Sequence, residues 1–100
     1  MLHTVNKSPF EKNSLDTCLR LARPGSAILL LEDGVYAAMR GTEVAEQVEQ
    51  AAGSCTLFAL GPDLEGRGLD AAALIPGIGI VDYAGFVELA VSHDRIQSWF

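Results

Sequence analysis

The chain has 100 residues and a mass of 10.6 kDa, with 49% hydrophobic and 20% charged residues. This length fits a single domain over residues 1–100, and the composition excludes a disordered tail, a collagen-like repeat and a highly charged coiled coil. Thirteen acidic and seven basic residues give a net charge of −6, the wrong sign for a protein that binds nucleic acid directly. A domain this small buries only about two-thirds of its surface, so we expect an apolar chain of this kind to form subunit contacts.

Neither a membrane span nor an export signal is visible in the sequence. Apolar runs such as Ala27–Leu31 are far shorter than the roughly 20 residues of a membrane helix, and the N-terminus lacks the apolar core of a signal peptide. We therefore expect a cytoplasmic protein without membrane association. In a reducing compartment Cys18 and Cys55 are expected to be free thiols, and their spacing matches no metal-ligand pattern.

Short apolar runs alternate with amphipathic segments along the chain. Strands are predicted at residues 2–5, 27–31, 55–60 and 78–81. The run Ala27–Leu31 is apolar throughout and is closed by Glu32-Asp33-Gly34, which is typical of a central strand buried on both faces of a parallel sheet. Short connections between strands and helices indicate right-handed βαβ units. The sequence therefore predicts an α/β fold, with a mostly parallel open sheet and helices on both faces.

Helix signals fill the segments between these strands. Ser8-Pro9-Phe10-Glu11 has the residues of a capping box and predicts a helix start, with a possible restart at Asn13 or Ser14. Further helices are predicted over residues 35–39 and 43–52 and after Asp82. The Gly-rich segment 64–77 is compatible with more than one structure.

Acidic residues and glycines follow the predicted strands, at the edge where α/β sheets usually bind ligands. The acids are Glu32, Asp33, Asp63 and Asp82. Asp63 and Asp82 occupy helix N-cap positions and Asp33-Gly34 is a turn signature, which favours caps and turns over a Mg²⁺ site. The glycines match neither the GxGxxG nor the P-loop spacing, so we expect no metal and no nucleotide cofactor.

Two aromatic features have structural interpretations. His3 lies at the first strand, where an imidazole can face a site at the sheet edge, but a hydrogen-bonded structural histidine is the favoured interpretation. Trp99 and Phe100 close the chain with large apolar surface, for which core or interface packing is expected.

Cys18 is the single candidate nucleophile. As a thiolate it is able to accept a sulfane sulfur from a partner's persulfide. It lies in the middle of a predicted helix, on the apolar stripe, away from the helix N-terminus that would lower its pKa. The residues alone therefore leave two interpretations open, a persulfide carrier and an inert buried cysteine.

Motifs of one protein family recur along almost the whole chain, in the segments Leu2–Phe10, Leu29–Ala38, Ala59–Gly68, Ile80–Val87 and Gln97–Trp99. In these segments the chain resembles the DsrH/TusB family. The resemblance implies a DsrE-like three-layer fold and a cytoplasmic heterohexamer with two copies each of three related subunits. It also implies relay of protein-bound persulfide sulfur, with the principal sulfur-carrying cysteine on the DsrE or TusD partner.

The family resemblance supports two functional hypotheses. Asn6–Phe10 and Cys18 resemble DsrH more than TusB proteins without this thiol, which favours a subunit that works with DsrE and DsrF in dissimilatory sulfur oxidation. The alternative is a TusB-like, non-catalytic assembly subunit that works with TusC and TusD toward tRNA 2-thiouridine. In both cases we expect, at most, a sulfurtransferase-complex subunit without turnover of its own, which passes sulfur among carrier proteins.

Overall fold

Five parallel strands form one sheet in the computed structural model, which describes all residues from 1 to 100. The strands are β1 (Leu2–Val5), β2 (Ala27–Leu30), β3 (Thr56–Leu60), β4 (Gly79–Val81) and β5 (Ile96–Trp99). Their spatial order is β4-β3-β2-β1-β5, and every neighbouring pair is parallel. The predicted α/β class is confirmed, and the apolar strand β2 lies at the centre as its sequence indicates.

Four α-helices connect these strands, namely α1 (Ser14–Leu21), α2 (Ala45–Ala52), α3 (Gly61–Gly66) and α4 (Tyr83–Ser92). Short 3-10 helices cover Glu32–Ala38 and Ala71–Ala73. The helix α4 begins where the sequence predicts, because Asp82 Oδ1 accepts a hydrogen bond from the Gly85 backbone N–H over 2.8 Å. No helix combines the length and apolar character that crossing a lipid bilayer requires.

Three local predictions differ from the structure. The helix expected from Ser8 is absent, since Ser8 Oγ accepts from the Phe10 N–H in a local turn and α1 begins only after Asn13. The helix expected over residues 35–39 is part of the 3-10 helix Glu32–Ala38. The strand β5 was not predicted, because three of its four residues are exposed at the sheet edge and the two central ones, Gln97 and Ser98, are polar.

The two faces of the sheet bury unequal amounts of apolar surface. One face packs against α1 and α2 in a core cluster of 15 buried residues, which includes Val5, Leu15 and Ile28. The opposite face buries a cluster of three residues, Leu2, Ala27 and Leu29, beneath the inner side of α4. Since α4 covers this face from outside, its own outer side has no further layer of the chain above it.

The turn after β2 comes very close to the end of β1. A Cβ atom added to Gly34 would lie 2.1 Å from the Val5 carbonyl oxygen, a separation that no side chain tolerates. Glu32 adopts a φ of +49°, a left-handed conformation that is uncommon for residues other than glycine. The Glu32-Asp33-Gly34 turn is therefore held by tertiary contacts around it.

Candidate functional site

Three of the four acidic residues at the carboxyl edge of the sheet, Asp33, Asp63 and Asp82, make structural contacts through their side chains. Arg67 donates to Asp33 Oδ1 from Nε over 2.9 Å, and Asp63 Oδ2 accepts from the Glu32 backbone N–H over 2.5 Å. The prediction that Asp63 caps α3 is wrong. Asp63 lies in the first turn of that helix, and its carboxylate accepts a hydrogen bond from the turn that begins at Glu32. No three His, Cys, Asp or Glu side chains gather as a metal-binding set.

Cys18 lies on the inner face of α1 and is completely buried. Burial raises the pKa of the Cys18 thiol to about 12, and the nearby Cys55 thiol adds to the increase. The thiolate, which is the form that attacks sulfur, is therefore strongly disfavoured at neutral pH. In the isolated chain Cys18 is both protonated and shielded from a partner protein.

Cys55 lies directly before β3, at the amino edge of the sheet. It is a buried free thiol whose Sγ is 3.6 Å from the Arg23 carbonyl oxygen. This contact joins the loop after α1 to the start of β3. The geometry agrees with the structural role that its position in the sequence indicates.

His3 and Trp99 form a pair that joins β1 to β5. The Trp99 indole N–H donates to His3 Nδ1 over 3.0 Å, and the two rings are stacked at 24° with centroids 6.2 Å apart. Burial lowers the pKa of His3, and the positive charge at Met1 lowers it further. His3 is thus the hydrogen-bonded structural histidine favoured from the sequence. Sequence reasoning missed its partner because β5 was not recognised.

The outer side of α4 exposes a row of large apolar side chains. Tyr83, Val87 and Val91 are 60%, 60% and 80% exposed and lie four residues apart, on one line along the helix. We call these three residues the α4 stripe. Polar residues normally occupy the outer face of a surface helix, and a helix that is apolar all round normally has neighbours on every side. The apolar composition of α4 was the sequence signal that could have indicated this exposed surface, although the α4 stripe itself was not predicted.

The model of the DsrH-like protein family matches residues 7–96. The chain belongs to this family. Protein TusB from Pectobacterium parmentieri is 37% identical over 99 residues, covering 99% of this chain and 100% of that protein. Protein TusB from Erwinia tasmaniensis is 40% identical and Protein TusB from Escherichia coli K12 is 37% identical, both with the same coverage. These DsrH-like relatives support the TusB alternative better than the sulfur-oxidation hypothesis favoured from the sequence.

Solved structures share the fold of this DsrH-like chain. The crystal structure of the YchN protein from E. coli matches with a TM-score of 0.83, 21% identity and coverage of 98% of this chain and 97% of that chain. The MTH1491 protein from Methanobacterium thermoautotrophicum matches with a TM-score of 0.71, 16% identity and coverage of 97% and 95%. At these identities the likeness shows the three-layer α/β fold alone.

Proposed function

We propose that this chain is a TusB-like subunit of a cytoplasmic persulfide relay that supplies sulfur for tRNA 2-thiouridine. Its full-length similarity to proteins named TusB supports this function over dissimilatory sulfur oxidation. The net charge of −6 agrees with a subunit that passes sulfur to other proteins and does not itself hold RNA.

Within the relay, the proposed role is assembly around a partner's reactive cysteine. The observation that carries this role is the α4 stripe, since three large apolar side chains exposed in a row are typical of a protein contact surface. The proposed partners are TusC-like and TusD-like paralogues, in a heterohexamer with two copies of each subunit. DsrE-like and DsrF-like paralogues would take the same places if the chain served sulfur oxidation.

The transfer chemistry itself requires a thiolate that a partner can reach. An acceptor thiolate attacks the terminal sulfur of a donor persulfide, a new S–S bond forms, and the donor's S–S bond breaks to release a thiolate. Cys18 is protonated and buried, which supports leaving this step to the partner's cysteine.

Persulfide carriage by Cys18 stays a prediction, and it requires α1 to move away from the sheet. Mass spectrometry of the intact complex after incubation with a sulfur donor tests it directly. A dithiothreitol-sensitive adduct of about 32 Da on Cys18 would support the carrier hypothesis. An unmodified Cys18 beside a modified partner cysteine would support the assembly role alone.

Reconstitution tests the assembly role. The chain is co-expressed with its TusC-like and TusD-like paralogues, and the mass of the complex is measured by size exclusion with light scattering. Val87→Asp places a charge in the α4 stripe and is expected to weaken association by at least about tenfold. Leu21→Asp is the control, because Leu21 is equally exposed, at 63%, on α1. Full assembly of the Val87→Asp variant would contradict the proposed contact surface.

A further inference from the structure

A cavity of about 520 Å³ opens at the amino edge of the sheet, away from the acidic residues of the carboxyl edge. His3 of β1, Arg23 and Ser26 of the loop between α1 and β2, and Arg95 before β5 contribute its polar side chains. We call it the amino-edge cavity. Its volume lies within the range of about 300–1,000 Å³ that is usual for small-ligand sites.

The charge of this wall is opposite to that of the chain. Two arginines and no carboxylate line the amino-edge cavity, although acids outnumber bases by thirteen to seven in the sequence. Neither Arg23 nor Arg95 forms an ion pair, since the ion pairs of the structure all involve Arg20 or Arg67. Arg95 and its neighbour Asp94 also line an adjoining cavity, but their side chains form no ion pair with each other. The two guanidinium groups therefore lack an anionic partner within the protein.

His3 contributes a third donor to the same wall. An indole N–H only donates, so Trp99 makes His3 Nδ1 an acceptor and leaves the proton of the neutral ring on Nε2. No protein atom forms a hydrogen bond with this Nε2 atom, although His3 as a whole residue is only 4% exposed. The low pKa of His3 keeps this ring in the neutral form that the contact requires.

The loop that carries Arg23 is fixed by hydrogen bonds before any ligand arrives. Gly25 N–H donates to the Ser54 carbonyl over 2.7 Å, and Ser26 N–H donates to the Arg23 carbonyl over 3.0 Å. The hydroxyl of Ser26, a buried residue, faces no protein partner and can donate as well. The backbone of this loop is therefore in place before binding, whereas the exposed Arg23 and Arg95 side chains become ordered only when the anion binds.

We propose that the amino-edge cavity binds a tetrahedral oxyanion of the phosphate or sulfate class, through Arg23, Arg95 and the Nε2–H of His3. The three donors come from three separate segments of the chain, so they approach an anion from several directions. A tetrahedral anion has oxygens for each of them, whereas a planar carboxylate is satisfied by a single arginine fork. This site is independent of the proposed sulfur relay.

Titration of the full chain with inorganic phosphate tests the proposal. Isothermal calorimetry at constant ionic strength, with chloride as the balancing anion, is expected to show saturable binding of one phosphate per chain, with acetate much weaker. NMR of the histidine side chains in the wild-type protein provides a readout that needs no variant. The Nε2–H resonance of His3 is expected to shift as phosphate saturates the site.

Arginine variants assign the binding to the amino-edge cavity. Arg23→Gln and Arg95→Gln are each expected to raise the dissociation constant by about tenfold, the effect of losing a charge-assisted hydrogen bond. Arg20→Gln removes the same charge from the exposed Arg20–Asp16 pair on α1 and serves as the matched control. It is expected to leave binding unchanged.

Three results would overturn the site: absence of saturable binding, a loss in Arg20→Gln as large as in Arg23→Gln, or binding that leaves the His3 resonance unmoved. A second ligand, glycerol 3-phosphate, distinguishes the two sources of the anion. Tighter binding of glycerol 3-phosphate than of inorganic phosphate would indicate that the ligand is the phosphate group of a larger molecule. Equal or weaker binding of glycerol 3-phosphate would indicate that the ligand is the free ion.

Discussion

The indole N–H of Trp99 donates to Nδ1 of His3 over 3.0 Å, and this bond joins residues 96 positions apart. It connects the edge strand β5 to β1, and it buries a histidine that is only 4% exposed. The bond therefore helps to hold the edge strand β5 against β1, and it also influences the protonation state of the imidazole.

Replacing Trp99 by Phe removes the donor and leaves the buried His3 acceptor unpaired. We expect the free energy of unfolding to fall by about 1–3 kcal/mol, measured by urea denaturation with circular dichroism. Gln97→Ala, at an exposed position of the same strand, is the control and is expected to change stability by less than about 0.5 kcal/mol. Equal stability of Trp99→Phe and wild type would show that this bond contributes nothing to the fold.

His3 makes the stability of the chain depend on pH. Its pKa is lower in the folded protein than the ordinary value of 6.5, so below that value the unfolded chain binds more protons than the folded one. The free energy of unfolding is therefore expected to decrease from about pH 7.5 to about pH 5.5, and His3→Gln is expected to reduce this decrease. Identical pH profiles for the variant and the wild type would contradict the assignment.

Gly34 is required by the close approach of two backbones. A methyl group at this position would collide with the Val5 carbonyl oxygen, so Gly34→Ala is expected to lower the free energy of unfolding by about 3 kcal/mol. Gly66→Ala is the matched control, because nothing lies within 4 Å of the added methyl group in α3. That control is expected to be neutral or to stabilise by up to about 1 kcal/mol. Denaturant titration measures the free energy of unfolding of both variants. Similar values for Gly34→Ala and Gly66→Ala would refute the prediction.

The environment of Cys18 determines its reactivity. With a pKa of about 12, its thiolate fraction at pH 8 is about a thousandfold below that of a thiol with the ordinary value of 9.0. Reaction with a disulfide reagent such as DTNB is therefore expected to be slower by at least about a thousandfold in the native chain than in urea. Peptide mapping after a short labelling pulse identifies the modified cysteine. Rapid native labelling of Cys18 would reveal an accessible thiolate and favour the carrier hypothesis.

The strands of the core could be predicted from the sequence because β2 is a continuous apolar run, the other three are short segments that contain apolar residues, and turn or cap signatures follow β2, β3 and β4. Strand β5 escaped prediction because Gln97 and Ser98 are exposed and polar, and a four-residue edge strand has no periodic signal of its own. The false helix start at Ser8 has a related cause. Its side chain makes the local bond of a cap, but no apolar face follows to extend the helix.

The candidate sites were harder to predict, since they depend on contacts between distant residues. The burial of Cys18 followed from its place on an apolar stripe, whereas the pairing of Arg67 with Asp33 depends on how α3 lies beside the turn after β2. The amino-edge cavity combines Arg23 and Arg95, which lie 72 positions apart in the sequence. Register and strand order, and not local propensity, bring such residues together.

The most direct test of the assembly role measures 2-thiouridine in tRNA from an E. coli strain that lacks its own TusB. The strain receives the wild-type chain, Cys18→Ala or Val87→Asp, with the level of each protein checked by immunoblot. The account predicts that wild type and Cys18→Ala restore 2-thiouridine, whereas Val87→Asp does not. Restoration by Val87→Asp together with failure of Cys18→Ala would contradict it, because the buried thiol and not the α4 stripe would then be essential.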